Sequence, residues 1–239
     1  MLMNLNKIYV LLFSCIFISC GSSENITITK LEGSPKYENS KISSVNATKN
    51  DSIYSFSFEI ENYELGAQTI NNVNNDLANS AKGQHIHFIV NNGPYSAHYN
   101  QDFSADVNDG DVVLAFLSRS YHESVKNPNA YFLTQFGENQ SYDLTNEFLF
   151  YSRPKGTYKG NDTKKLLLDF YLVNTDISPT GNKVKATIND VVFLIDEWTP
   201  YYIEGLPLGE ISIKLELVNN DGVLIETPFT PSERTVILE

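Results

Sequence analysis

The sequence predicts an all-β protein of two tandem immunoglobulin-like sandwiches, and three observations carry that expectation. Apolar and polar residues alternate in runs: Tyr54, Phe56, Phe58 and Ile60 are separated by Ser55, Ser57 and Glu59, the period of a half-buried strand. Turn chemistry such as NNG, NDG, SPTG and NNDG separates the runs. No stretch keeps a long apolar period of 3.6 residues, and only LANSAKG suggests a helical turn. Roughly 220 residues behind the leader suffice for one large β domain or two of about 100 each. Frequent short strands favour the immunoglobulin-like form, although the Cys…Trp…Cys landmark is missing.

The elements follow in chain order. MLMNLNK carries one charge, at Lys7; IYVLLFSCIFI is a short apolar run, and Ser19-Cys20-Gly21 ends it. That is a signal peptide and not a membrane span. A cysteine at the cut suggests a bacterial lipoprotein with Cys20 as the lipidated residue; Cys15 is the rival acceptor. The expected division is a leader over 1–19, a tether over 20–25, a first sandwich over 26–150 and a second over 151–239. ITITKL and KISSVNAT are expected to complete the first sandwich.

The two halves read as a duplication. Tyr54, Phe56, Phe58 and Ile60 match Leu166, Leu168, Phe170 and Leu172, and Asn62 matches Asn174, at an offset of 112. Phe88, Ile89 and Val90 match Phe193, Leu194 and Ile195 at 105; Gly110, Val112, Leu114 and Phe116 match Gly209, Ile211, Ile213 and Leu215 at 99. On this alignment the first half has seven extra residues before His85 and six after Val90. His85, His87 and His122 then stand opposite Asp190, Val192 and Asp221. Extra loop length around the histidines is what a site grafted on a scaffold requires.

All four histidines lie between positions 85 and 122. Alternation puts His85 and His87 on one strand face and Ile86, Phe88 and Val90 on the other. Two imidazoles at i and i+2 begin a transition-metal site, with His98 and His122 as candidates for the third ligand. The alternative is a hydrogen-bonding pair with no ligand. Past residue 19 the only cysteine is Cys20 and there is no methionine, so zinc or copper(II) fits better than a soft copper site.

Removal of residues 1–19 leaves 16 basic against 29 acidic residues, a charge of −13, which disfavours nucleic acid and anionic lipid surfaces. Against this background the Arg153–Lys165 stretch has five basic residues and one acidic one. Two of the three arginines sit in Ser-Arg steps, at Arg119 and Arg153. Ser118, Arg119, Ser120, His122, Arg153 and Lys155 together offer donors suited to phosphate or carboxylate. The competing reading is a structural Arg119 paired with Glu123. Tyr95, Tyr99, Tyr121, Tyr131, Trp198, Tyr201 and Tyr202 are dense enough for a sugar or peptide platform, but a core or an inter-domain contact uses the same residues.

GQHIHFIVNNGPYSAHY, AFLSRSYHESVK, LFYSRPKGTYKG and WTPYYIEGLPLGE together resemble a family of secreted lipoproteins from Bacteroidetes-type bacteria, often labelled phosphopeptide-binding proteins. The resemblance covers most of the mature chain and implies an envelope location and an anionic ligand. No G-x-S-x-G, P-loop or metalloprotease helix motif occurs, and no acid orients His122 toward Ser118, Ser120 or Ser124, so a binding module is expected and not an enzyme. Three functions follow: an outer-membrane lipoprotein binding an anionic ligand such as phosphopeptide; a zinc or copper protein using His85, His87, His98 and His122; or an adaptor for an envelope protein partner. Membrane contact is expected through the lipid alone.

Overall fold

The computed structural model describes residues 25–50, 53–70 and 76–239. The leader, Cys15 and Cys20 lie outside them. Among the described residues no helix is long and apolar enough to cross a membrane. The strands are β1 (Thr27–Lys30), β2 (Lys41–Asn50), β3 (Ile53–Glu61), β4 (His85–Val90), β5 (Ser96–His98), β6 (Asp102–Asp106), β7 (Val112–Ser118) and β8 (Tyr131–Gln135). They continue with β9 (Phe148–Arg153), β10 (Thr157–Tyr158), β11 (Leu166–Val173), β12 (Lys183–Ile188), β13 (Val191–Ile195), β14 (Tyr201–Glu204), β15 (Gly209–Val218) and β16 (Ser232–Leu238).

These strands form four sheets in two immunoglobulin-like sandwiches. The first pairs β2-β3-β6 with β5-β4-β7-β8; the second pairs β1-β14-β11-β9 with β10-β16-β15-β12-β13. Phe56, Phe58, Ile86, Phe88, Val113, Ala115 and Leu117 fill the first core. Leu149, Tyr151, Leu168, Phe170, Ile213 and Leu215 belong to the second. A third apolar layer joins the sandwiches, with Ile89, Leu114 and Phe116 meeting Phe148, Phe150 and Tyr171. Two of the four sheets are therefore covered on both faces. Their strands VVLAFLS, FLFYSR and LLLDFYLV are buried at every position, whereas KVKATI on an outer sheet alternates.

Three expectations need correction. β1 pairs with β14, so ITITKL belongs to the second sandwich and only KISSVNAT to the first. The expected boundary at 150/151 cuts through β9, which pairs with β11, so the second sandwich takes all of Phe148–Arg153. The duplication is real in strand order, but its alignment changes beyond β3. Asn62 and Asn174 hold at 112, both in the left-handed region. The counterpart of β4 is β12, the strand that pairs with β15 as β4 pairs with β7. Bridges Ser118↔Ser124 and Val218↔Leu224 put β7 and β15 at an offset of 100 and not 99. Leu117 and Leu217 accept from Val125 and Ile225 in the same way. The slip arises because β7 is apolar on both faces, so alternation does not reveal which set faces the sandwich core.

With this register His85 and His87 correspond to Lys183 and Lys185, and His122 to Gly222. The offset falls from 112 to 98 across one loop, so the 14 extra residues of the first half all precede His85, and none follow Val90. That insertion folds over the turn bearing His122: Ser80 N donates to Ser120 O, and Ser120 N to Thr69 Oγ1.

Candidate metal centre between the sandwiches

His85 and His87 project from β4 into the layer between the sandwiches, and both are fully buried. Residues i and i+2 of a strand stand about 6.8 Å apart along it, yet the two rings tilt together to a centroid separation of 4.8 Å. His122 reaches them from the turn after β7, its ring 4.9 Å from that of His85. His87 Nε2 lies 2.9 Å from His85 Nε2, and His122 Nδ1 lies 3.1 Å from the same atom. One nitrogen of each ring falls within 4.8 Å of the others. A tetrahedral zinc ion bound at about 2.0–2.1 Å holds its ligand nitrogens roughly 3.3 Å apart; the two separations from His85 Nε2 are close to that, and the remaining pair lies within 4.8 Å.

The surroundings fix which nitrogen of His85 is free and place hydroxyl partners beside the other two rings. His85 Nδ1–H donates to Gly83 O at 2.8 Å, so its Nε2 carries the lone pair. The Ser152 hydroxyl of β9 lies 3.2 Å from His87 Nδ1. Tyr95 stacks on His87 at 3.5 Å and sets its hydroxyl 3.2 Å from His122 Nδ1. His122 Nδ1 has both Tyr95 OH and His85 Nε2 within hydrogen-bonding reach. A metal ion at this place would accept a lone pair from each ring.

Burial and neighbouring positive charge keep all three imidazoles neutral. Desolvation first, then the charges of Arg153 and Lys155, bring His85 down to about 4 against the opposing hydrogen bond to Gly83. His122 is pushed to about 2, again chiefly by burial and then by Arg153. His87 is driven well below the ordinary value by burial and by the other two histidines. Neutral imidazole is the ligand form.

His98 is not part of the cluster. It stands opposite Ile86 in the β4–β5 pair, on the face away from His85 and His87, where it stacks on Phe103 at 3.6 Å and meets Ser96 Oγ through Nε2 at 2.8 Å. The candidate ligand set thus shrinks from four histidines to three.

The anion candidates separate into two places. Arg119 is buried and ion-paired to Glu123 at 2.9 Å; it also donates to Ser124 O and Pro35 O. Ser118 Oγ donates to Arg119 O and Glu123 O, and Ser120 accepts from Thr69 N. These residues hold the turn that carries His122. Arg153 and Lys155 instead lie against Tyr95, the ring that stacks on His87: Arg153 is 5.3 Å from its centroid, and Lys155 is 3.7 Å from it over the face away from His87. Of the six, the structure brings His122, Arg153 and Lys155 together and leaves Ser118, Arg119 and Ser120 apart. A cleft of about 580 Å³ that includes Arg119, Lys126 and Trp198 lies away from the histidines. Its arginine has already committed its donors.

Ser152 and the Gly83 carbonyl were missed as supports. Ser152 had a signal, being the one polar side chain on the face of FLFYSR that Phe148 and Phe150 share. The Gly83 carbonyl had none, since any residue supplies one.

No family model matches the chain, and no curated protein matches it. Among solved structures it is similar to a central fibronectin-III array of RIM-binding protein at 7% identity and a TM-score of 0.27, over 83% of this chain and 68% of that one. It is also similar to fibronectin(III)-like modules of Clostridium thermocellum CbhA at 13% identity and a TM-score of 0.30, over 84% and 94%. Domains 7, 8 and 9 of the S-layer protein SbsC follow at 10% identity and 0.22, over 83% and 60%. The sandwich assignment rests on the strand order of the chain itself.

Proposed function

We propose that this protein is a non-enzymatic envelope lipoprotein that binds one transition-metal ion, zinc or copper(II), through His85 Nε2, His87 Nε2 and His122 Nδ1. The supporting observation is that one ring nitrogen from each of three histidines, two on a strand and one on a turn, lies within 4.8 Å of the others in a largely buried place. An all-imidazole set suits zinc, copper(II) and nickel, and copper(II) binds most tightly of the divalent ions in such surroundings. Gly83 and Ser152 orient two of the rings from behind, as ligand histidines require. Bulk binding of an acidic peptide through Ser118 and Arg119 has less support, because both side chains are spent within their own turn.

The test is metal content. The mature chain, purified without chelator and dialysed, should retain about one equivalent of zinc or copper, and the His85→Ala, His87→Ala variant should retain none. Metal at a hundredfold excess over its Kd should stabilise the wild type by about 2.7 kcal/mol. A wild-type chain that retains no metal and shows no thermal shift with either ion would rule the reading out.

A further inference from the structure

Arg153 and Lys155 act on the histidines, and Arg234 acts in turn on Lys155. Arg153 is 8% exposed, Arg234 and Lys155 are partly buried, and none of the three forms an ion pair among the described residues. Arg153 donates through Nη1 to Tyr158 OH, and its Nε has no partner. Arg234 donates through Nη2 to Asn92 O and Gly93 O, leaving Nη1 unpartnered. Among the described residues Lys155 Nζ meets only the carbonyl and the ring face of Tyr95. Burial, Arg153 and Arg234 together depress Lys155 to about 8, and no carboxylate acts on it. In a chain that is strongly acidic overall, three cations without one acidic partner are an uncompensated charge.

A divalent ion on the triad would add two more positive charges. Three imidazoles are neutral and leave a fourth coordination position to be filled. Tyr95 spans the two groups: its hydroxyl meets His122 Nδ1, and the Arg153 guanidinium lies 5.3 Å from its ring centroid. His122, Lys155 and Arg234 are the partly exposed members. We propose that the centre takes a small oxyanion, the carboxylate or phosphate group of an exogenous ligand, which fills the open position of the metal and is held by Arg153 and Lys155. The inference rests on the metal reading and adds a second ligand to it. Guanidinium and ammonium donors are the side chains suited to such a group.

Cobalt(II) reports the test through its visible d–d absorption. The full chain is loaded with cobalt(II) in oxyanion-free chloride buffer and titrated with acetate and, separately, with inorganic phosphate. At least one should shift the bands saturably, and which one binds more tightly identifies the class. Arg153→Gln, Lys155→Gln should weaken that oxyanion by about tenfold or more. The same variant should take up cobalt at least as well as wild type in chloride, because two like charges have been removed from beside the ion. Lys155→Gln alone, at a partly exposed site, should show part of the loss if the double variant does not fold. Cobalt bound normally but indifferent to both oxyanions, or an affinity unchanged in both variants, overturns the oxyanion and spares the metal. No cobalt uptake by the wild type overturns both.

Discussion

His122 and Gly222 occupy the same position in the two sandwiches, with φ of 71° and 78°. Each donates its N–H three residues back, to Arg119 O and to Asn219 O. An L-residue in the left-handed region costs about 1–2 kcal/mol relative to its ordinary conformations, a cost glycine avoids. The second sandwich uses glycine and the first uses histidine, with its ring turned onto His85. Backbone strain of this kind persists where the side chain is needed.

His122→Gly is therefore expected to keep the fold and lose the ion. Chemical denaturation of the metal-free variant should give a stability within about 1 kcal/mol of wild type, since relief of the turn offsets the lost ring contacts. Metal content after dialysis should fall to background. Full retention of metal would mean that His122 is not a ligand.

The paired strands, the H-x-H face and His122 as one of two third-ligand candidates are legible in the sequence. What separates His122 from His98 is the register of β5 on β4, which puts His98 opposite Ile86, and no local pattern fixes that. The stacking of four sheets is also hidden, although VVLAFLS and FLFYSR announce strands covered on both faces by lacking alternation. The same lack of alternation allowed the one-residue slip between β7 and β15. Lys183 and Lys185 show the consequence of layer position: at the places of His85 and His87 they face outward, because no third sheet covers β12.

Arg119 and Glu123 form a buried pair that serves the turn and not a ligand. Glu123→Ala leaves the guanidinium buried without its counter-charge, and such a loss costs about 3–5 kcal/mol. Urea denaturation should show that drop, while metal content per folded molecule stays near one equivalent. A variant of unchanged stability would mean that the pair is solvated.

Cys20 is expected to carry the lipid, placing the protein in the outer membrane. Metabolic labelling with an alkyne fatty acid should mark the wild type and miss Cys20→Ala. Label that persists in the variant would move the anchor to Cys15, and no label in either would leave the protein unlipidated.

Acid should unload the site and weaken the fold over one pH range. The folded-state values of His85 and His122, about 4 and about 2, lie below the ordinary 6.5, so the unfolded chain binds protons first as pH falls. Stability from these groups is fully present above about pH 6.5 and declines between 6.5 and 4, with His122 extending the loss below that. For His85 alone the whole interval corresponds to something on the order of 3 kcal/mol. Bound metal competes with the same protons, so the holo-protein should resist acid down to the pH at which the ion leaves and then lose stability more steeply than the metal-free form. Denaturation midpoints from pH 7.5 to 4 for wild type and His85→Gln, His87→Gln would measure both. Amides do not titrate, so the variant should show the flatter profile; equal slopes would exclude the buried histidines as the origin of the acid sensitivity.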